Sequence, residues 1–354
     1  MDKGGKLFGK IWWEDLNGPR RFLVEAAEKL SGGKSVVLCL PFRVPWLEVM
    51  RDVLEKLLRK GTQTINFVDA KNIYDEPQEF VLKNFCANKD GFRPYSKKAY
   101  AKFLAESTGI ALNDSCIWIR NAEREQVDAW FSFITDYQSF LAGKRGGVFL
   151  LEADEDFIGR GNVEVLYYAR KIGGYDSFAF NIFAAADFAN ENHLIKRYLA
   201  ELVSALTEGD VEFGAECIAR SHALLKNPQE VFEDILWEGK FTSGKGTDEI
   251  ERAIWMTQLK LIFPLVETFR RNFIKKYEEQ IKNTPPYYSV PEEVEIGQLY
   301  GLFNQRRWLL DESDGNDLEM YREVRNKLAH LGTISFDELQ KIFEKNLIQS
   351  GVRK

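Results

Sequence analysis

The sequence contains little cysteine, and its four cysteines do not form the pattern of a disulfide framework or a metal site. They lie far apart, with no Cys-x-x-Cys pair and no cluster of metal ligands. Three of them lie in or beside apolar segments, which favours reduced, mostly buried thiols in a cytoplasmic protein. The four are Cys39, Cys86, Cys116 and Cys217.

Long hydrophobic runs are also lacking. The segment from Met1 to Trp13 has no apolar core of the kind found in signal peptides, and no later run is long enough to span a bilayer. We therefore expect a protein that is cytoplasmic and has no membrane partner.

Third, the sequence has no excess of positive charge. Lysine and arginine number 48 against 54 aspartates and glutamates, which gives a formal net charge of -6. Proteins that hold nucleic acid through their overall field need a basic surface to displace counterions. The charge therefore excludes that class of protein, but it does not exclude an enzyme that contacts RNA locally.

No low-complexity tract or internal repeat interrupts the 354 residues, which are 45% hydrophobic and 29% charged. This composition is typical of a folded protein, and the length predicts two or three structural units. In the first half, short apolar runs alternate with amphipathic segments, which predicts an α/β domain with a mainly parallel sheet over residues 1–188. The predicted strands are residues 36–40, 65–68, 116–120, 148–151 and 178–183, and the predicted helices are residues 46–59, 97–106 and 125–141.

A nucleotide-binding domain of this kind would carry a glycine-rich phosphate loop between a strand and the following helix. The sequence GGKS at residues 32–35 offers only the end of such a loop. Glu28 stands where the opening glycine belongs, and the motif precedes its strand instead of following it. The segment that does follow the strand, residues 41–46, has two prolines and no glycine, which makes it a poor cradle for phosphate.

Two other features of a phosphate site are also missing. The sequence SGKGT at residues 243–247 has a glycine between its lysine and its threonine, and the central strand ends in Arg120 and Asn121 instead of an acidic residue that could position a metal. In its alternation of strands and helices, the domain resembles a degenerate form of the P-loop NTPase modules of signalling and defence ATPases. The resemblance implies a sensing or regulatory domain, and we predict no cofactor and no nucleotide hydrolysis, with residual nucleotide binding as the alternative.

After residue 187 the strand signal is replaced by helical periods. Asn227 and Pro228 suit the start of a helix, and the polar, glycine-rich residues 239–246 predict a linker. We therefore predict a helical connector over residues 189–246 and a helical domain over residues 247–354. Its predicted helices are residues 248–282, with a kink or break near Phe263 caused by Pro264, then 292–310, 317–331 and 336–346, the last opened by a capping box of Ser335 and Glu338.

The sequence has only three histidines, and only one of them has possible partner residues at a spacing that suggests a functional site. His330 follows Arg325 by five positions, and Asn326 comes directly after that arginine. On a helix these three residues share one flank beside an apolar stripe, and Gly332 is expected to end the helix. The stripe comprises Leu318, Tyr321, Val324, Leu328 and Leu331, and the flank also includes Arg322 and Ala329.

This arrangement resembles the HEPN superfamily, whose RNases share an R-x4-H motif, usually with Asn, Asp or His after the arginine, near the end of a late helix. The resemblance covers residues 247–346 and implies a four-helix bundle that cleaves RNA without metal, leaves 2′,3′-cyclic phosphate ends and brings two copies of the motif together in a dimer. It assigns His330 to proton transfer, Arg325 to the phosphate and Asn326 to orientation or substrate contact. Glu319, on the same flank, is a candidate for a supporting carboxylate.

We therefore predict a prokaryotic defence or toxin-like protein with a regulatory N-terminal domain and a C-terminal HEPN-type RNase. Its predicted partners are an RNA substrate, a second copy of the chain and other proteins of a defence complex. The main alternative is a non-catalytic adaptor or dimerisation protein of such a complex. A third hypothesis, an ATP-driven switch, requires a phosphate site that the sequence does not show.

Overall fold

The structure is a computed structural model. It describes residues 3–61, 64–86, 92, 95–106, 112, 115–144, 146–159, 161–189, 191–304 and 312–349. The chain divides into two compact units, residues 1–180 and 181–354. The predicted three-part division, with boundaries after residues 188 and 246, stays a prediction.

The first unit is a mixed α/β structure. Its strands are β1 (Val36–Leu40), β2 (Thr64–Asp69), β3 (Ser115–Arg120), β4 (Val148–Asp154) and β5 (Glu164–Tyr167). Its helices are α1 (Lys3–Lys10), α2 (Asn17–Ser31), α3 (Leu47–Arg59), α4 (Pro77–Phe85), α5 (Lys97–Glu106), α6 (Arg124–Leu141), α7 (Tyr168–Lys171) and α8 (Gly174–Phe188), and the division between the units falls within α8. Short turns of π-helix (Ile11–Asp15) and 3-10 helix (Ala70–Asn72) complete the unit.

The five strands form one parallel sheet in the order β2-β3-β4-β1-β5. Strand β1 lies between β4 and β5, with Val36 opposite both Leu150 and Glu164. All five residues of β1 are buried, as expected for a parallel strand covered on both faces. Because every strand runs the same way, their carboxyl ends meet at one edge of the sheet.

Four of the predicted strands are confirmed, but the fifth is wrong. Residues 178–183 belong to helix α8. Phe180 and Ala184 are buried four residues apart, whereas Ile182 and Phe183 are 43% and 49% exposed, which is a helical pattern. A short apolar run cannot be assigned to a strand or a helix by its pattern alone.

The fifth strand of the sheet is β5, which was not predicted. It has only four residues, and it begins with a charged side chain, Glu164. Lys29 and Lys34 lie 2.8 and 2.7 Å from that carboxylate. Their hydrogen bonds outweigh the small cost of burial and lower the pKa of Glu164, so the edge strand carries a compensated charge.

The second unit is mostly helical. Its helices are α9 (His193–Thr207), α10 (Val211–Ala219), α11 (Ser221–Lys226), α12 (Pro228–Trp237), α13 (Thr247–Lys276), α14 (Glu278–Asn283), α15 (Ile296–Asn304), α16 (Glu312–Ala329) and α17 (Phe336–Gln349), with a 3-10 turn at Pro291–Glu293. Pro228 occupies the first turn of α12 as predicted. The predicted linker, residues 239–246, contains no helix or strand. Among the described helices, none combines the length and apolar character needed to cross a membrane.

Helix α13 continues through Pro264, so the predicted break does not occur. Ile262 and Val266 are both fully buried, and their packing holds the helix on either side of the proline. The hydroxyl of Thr268 donates to the carbonyl of Pro264 at 2.8 Å. The helix ends at Lys276, six residues before the predicted end, and α14 follows as a separate element.

The last three helices differ from prediction mainly at their ends. Helix α15 starts four residues later than predicted, and residues 305–310 of that prediction lie outside the described residues. Helix α16 starts five residues earlier and ends two residues earlier than predicted. The capping box of α17 is confirmed: the N–H of Glu338 donates to Oγ of Ser335 at 3.3 Å, and the N–H of Ser335 donates to Oε2 of Glu338 at 2.9 Å.

Candidate functional site

Helix α16 has a buried face that fixes its rotation. Leu318, Tyr321, Val324 and Leu328 are each at most 1% exposed. The ring of Tyr321 stacks on that of Phe269 with 4.1 Å between the ring centres. Because these apolar residues recur at helical spacing, the polar flank beside them is held at the surface.

The predicted catalytic residues occupy that flank near the end of the helix. Arg325 and Asn326 are half-buried, whereas His330 is exposed and follows Ala329, the last helical residue. Nη1 of Arg325 donates to Oδ1 of Asn326 over a long 3.5 Å. The backbone N–H of His330 donates to the carbonyl of Asn326 at 3.1 Å. Within the described part of the chain, no hydrogen bond joins the His330 imidazole to either neighbour.

The chain leaves α16 through a tight turn directly after His330. The N–H of Gly332 donates to the carbonyl of Lys327 at 2.8 Å, and that of Leu331 donates to Leu328 at 3.4 Å, which together define a Schellman motif. Leu331, with φ 62°, takes the left-handed position that was expected for Gly332. Leu331 is also 72% exposed and does not belong to the core stripe, because the helix has already ended there.

Side chains of α13 hold this turn in place. The indole N–H of Trp255 donates to the carbonyl of Leu328 at 2.8 Å. Gln258, which is 3% exposed, donates to the carbonyl of Ile334 at 2.9 Å and accepts from its N–H at 2.8 Å. A leucine in the left-handed region costs about 1–2 kcal/mol, so these bonds stabilise a strained backbone next to His330.

The Arg325 guanidinium is only loosely paired. Its Nη2 lies 3.5 Å from Oε2 of Glu295, and the two side chains are 33% and 64% exposed. Long, exposed ion pairs of this kind contribute about 0–1 kcal/mol. A phosphate can therefore replace Glu295 as the partner of Arg325 at little cost.

The predicted supporting carboxylate, Glu319, contacts helix α15. It accepts a hydrogen bond of 2.8 Å from the hydroxyl of Tyr300. The guanidinium of Arg322 lies over the ring of the same tyrosine, with 3.7 Å from its central carbon to the ring centre. Arg322 was detectable as a candidate because it precedes Arg325 by three residues on one helix face. Tyr300, like Glu295, was missed because no sequence spacing relates it to α16.

Another charged residue of α16, Lys327, forms an ion pair with a glutamate of α17. Lys327 lies 2.6 Å from Oε1 of Glu338. Burial opposes the charge of this carboxyl, but the hydrogen bonds from Lys327 and from the N–H and hydroxyl of Ser335 outweigh burial and lower the pKa of Glu338. This pair connects α16 to the start of α17 and neutralises the charge of Lys327.

A cavity of about 1270 Å³ adjoins the turn and is lined in part by Lys327, Leu331 and Gly332. Acidic side chains outnumber basic ones in its lining by six to three, and such a surplus disfavours phosphate. The cavity is therefore a poor RNA site, in contrast to the flank that contacts α15. The acidic residues are Glu230, Glu233, Asp234, Asp248, Glu251 and Glu338, and the basic ones are Lys226, Arg252 and Lys327.

In the first unit, a ligand would be expected at the carboxyl edge of the parallel sheet. The two polar residues of the GGKS sequence are instead tied to the sheet itself. Lys34 pairs with Glu164 at 2.7 Å, and Oγ of Ser35 accepts from the N–H of Phe149 at 3.1 Å. Both side chains therefore have structural partners.

At the carboxyl edge itself, a buried ion pair joins neighbouring elements. Nη2 and Nε of Arg51 lie 2.6 and 3.1 Å from the two carboxylate oxygens of Glu152, and both side chains are 9% exposed. The indole of Trp118 donates to the same carboxylate at 3.0 Å. Asn121 accepts from Arg51 and donates to Asp69, each at 3.2 Å. These contacts connect β2, β3, β4 and α3.

Among the residues that the structure describes, no group of three or more His, Cys, Asp and Glu side chains is arranged to hold a metal ion. Comparison of the chain with protein-family models, with curated proteins and with solved structures gives no match. The resemblance of each unit to a known family therefore depends on the residues and contacts of this chain alone.

Proposed function

We propose that the second unit is a metal-independent endoribonuclease of HEPN type. The observation that carries this proposal is the location of Arg325, Asn326 and His330 on one surface flank at the end of α16, next to a fully buried stripe. An exposed imidazole and a loosely paired guanidinium are the groups needed to move a proton and to stabilise a charged phosphorane-like transition state.

RNA supplies the nucleophile of this reaction. The 2′-oxygen attacks the adjacent phosphorus, the bond to the 5′-oxygen of the next nucleotide breaks, and the product carries a 2′,3′-cyclic phosphate. His330 accepts the proton of the 2′-hydroxyl, Arg325 neutralises the charge on the non-bridging oxygens, and Asn326 orients the phosphate. The leaving 5′-oxygen takes up a proton.

That second proton transfer is the chemical reason to propose a homodimer. One imidazole cannot accept the 2′ proton and donate a proton to the 5′-oxygen in the same step. Two copies of the flank would supply both histidines, and Ala329, which is exposed between the site residues, leaves room for a second surface.

The test is cleavage of mixed RNA in excess chelator by wild type, His330→Ala and Arg325→Ala. Each variant is expected to lose at least about 100-fold in rate, the usual contribution of a positioned acid-base group or transition-state donor. His222→Ala and Arg271→Ala, at exposed positions on other helices, are the matched controls and should cleave like wild type. Cyclic phosphate ends and a dimeric mass are expected for the active protein.

For the first unit we propose a regulatory role in a prokaryotic defence or toxin-like system, where it resembles a degenerate P-loop NTPase. The all-parallel sheet supports the resemblance. The structural use of Lys34 and Ser35 supports a unit that does not hydrolyse nucleotide. Its partners would be other proteins of a defence complex.

A non-catalytic adaptor is the alternative function. The observation that favours it is the His330 imidazole, which no hydrogen bond orients within the described part of the chain. Equal cleavage by wild type and the His330→Ala and Arg325→Ala variants would refute the nuclease and leave the adaptor.

A further inference from the structure

Arg322 lies on the same flank of α16 as the proposed catalytic residues, but no role has been given to it so far. It precedes Arg325 by three residues and Asn326 by four, which places the three side chains next to one another on the helix surface. Its guanidinium lies flat over the ring of Tyr300 from α15, at 3.7 Å. The stacking holds the planar group in a defined position.

The charge of Arg322 has no carboxylate partner among the described residues. Two arginines of this unit have close carboxylate partners, Arg220 with Glu216 and Glu238 and Arg270 with Glu267, whereas Arg322 and the exposed Arg271 have none among the described residues. In Arg322, Nε is buried and has no hydrogen-bond acceptor. Such a donor calls for an explanation, and Nε of Arg120 in the first unit is in the same state.

The two Nη groups of Arg322 are the part that a ligand can reach. Arg322 is half-buried, its Nη1 and Nη2 have no hydrogen-bond partner among the described residues, and neither belongs to the fully buried unpaired donors, so both keep some contact with solvent. Together they present a fork of N–H donors, which matches the paired oxygens of a phosphate.

The nearby carboxylates already have other partners. Glu319 accepts the hydroxyl of Tyr300, and Glu295 lies against Arg325. Neither carboxylate is paired with Arg322, so an external anion can serve as its acceptor. On this basis, and resting on the proposed function of the flank as an RNA site, we infer that Arg322, held by Tyr300, is a second phosphate-binding position, which takes the phosphodiester next to the one that is cleaved.

The competing explanation is that Arg322 only packs α15 against α16. Its aliphatic stem can cover apolar surface whether or not the charge binds anything. Two substitutions separate the two roles. Arg322→Met keeps the packing and removes the charge, whereas Arg322→Lys keeps the charge and loses the planar stack.

The experiment measures RNA binding apart from cleavage, in full-length protein that carries His330→Ala. The probe is a decauridylate labelled with fluorescein at its 5′ end, and its affinity is measured by anisotropy over a series of salt concentrations. Arg322→Met is expected to weaken binding about tenfold at low salt and to reduce the slope of log affinity against log salt by about 0.7, the value for one phosphate on a single strand. Arg322→Lys should keep most of the slope.

Arg271→Met, at an exposed arginine of α13, is the matched control and should leave the affinity and the slope unchanged. Unchanged binding in Arg322→Met overturns the inference. The same holds if Arg322→Lys weakens binding and reduces the slope as much as Arg322→Met does, because packing would then explain the effect. Displacement of the probe by submillimolar inorganic phosphate would assign the position to free phosphate instead of RNA and would also overturn it.

Cleavage by protein with His330 intact is measured in parallel, so that the two proposals can fail separately. If wild type cleaves RNA and Arg322→Met binds the probe normally, the second phosphate position is wrong and the nuclease stands. If wild type does not cleave, and the salt slope still depends on Arg322, the nuclease is wrong and the phosphate position stands.

Discussion

The carboxyl edge of the sheet and the polar flank of α16 both carry arginines, but the two regions differ in how the charge is compensated. At the sheet edge, Arg51 is buried and contacts the carboxylates of Glu152 and Glu48. On the flank, Arg325 has one long contact to a carboxylate, and Arg322 contacts an aromatic ring and no carboxylate among the described residues. A buried arginine that its own chain neutralises serves the fold, whereas a surface arginine without a close carboxylate is free to bind an external anion.

This difference is relevant to the proposal that the first unit resembles a degenerate NTPase. The sheet edge that would receive a nucleotide is held together by a network that includes Arg51, Trp118 and Glu152. That network pairs these polar side chains with one another, whereas the neighbouring Arg120 stacks on Phe67 and Trp118 and its buried Nε has no hydrogen-bond partner. The proposed RNA site lies instead in the second unit, at the end of α16.

Removal of Glu152 tests the sheet edge and has the largest expected effect of these predictions. Glu152→Ala leaves the guanidinium of Arg51 buried without its carboxylate, and such a change costs about 3–5 kcal/mol. The free energy of unfolding is measured in urea by tryptophan fluorescence. The double variant Arg51→Met with Glu152→Leu removes both charges and should recover most of the loss.

The matching unfolding experiment on the α16 flank uses Arg325→Ala. Because its ion pair is long and exposed, the free energy of unfolding should change by less than about 0.5 kcal/mol. Equal destabilisation by Glu152→Ala and Arg325→Ala would break the contrast between a structural arginine and one available for binding.

Features that depend on neighbouring residues were predictable from the sequence. The continuous apolar run of β1 predicted a buried strand, the spacing of Leu318, Tyr321, Val324 and Leu328 predicted the buried face of α16, and the capping box predicted the start of α17. Each of these patterns follows from the period of a strand or helix, or from a local hydrogen bond.

Features that depend on distant residues were not predictable. Arg51 and Glu152 are 101 positions apart, and the turn after His330 is held by Gln258, 76 positions from Ile334. The left-handed conformation of Leu331 was not predicted either, since local preference would have placed a glycine there. The triplet could therefore be located from the sequence, whereas the contact of Arg325 with Glu295 and those of Glu319 and Arg322 with Tyr300 of α15 could not.

Removal of Glu295 tests the binding capacity of the flank and has a smaller expected effect. Glu295→Gln takes away the carboxylate that competes with phosphate for Arg325, so affinity for the decauridylate should rise about threefold at low salt, as expected for a weak exposed pair. Glu323→Gln, an exposed position on α16, is the control for the change in net charge. An equal rise in both variants would mean that net charge, and not the contact with Arg325, limits binding.

The smallest expected effect concerns the pair of Lys327 and Glu338, an ion pair that joins α16 to the start of α17. Glu338→Gln can keep the capping bonds with Ser335 but loses the charge, which should cost about 0.3–0.5 kcal/mol at neutral pH. Because the pKa of Glu338 is lowered in the folded protein, its contribution is present above the usual glutamate pKa and is lost as the pH falls through the folded value. Urea unfolding of wild type and Glu338→Gln should therefore converge in acid. A difference that persists unchanged below the folded pKa would show that Glu338 acts through its hydrogen bonds and not through its charge.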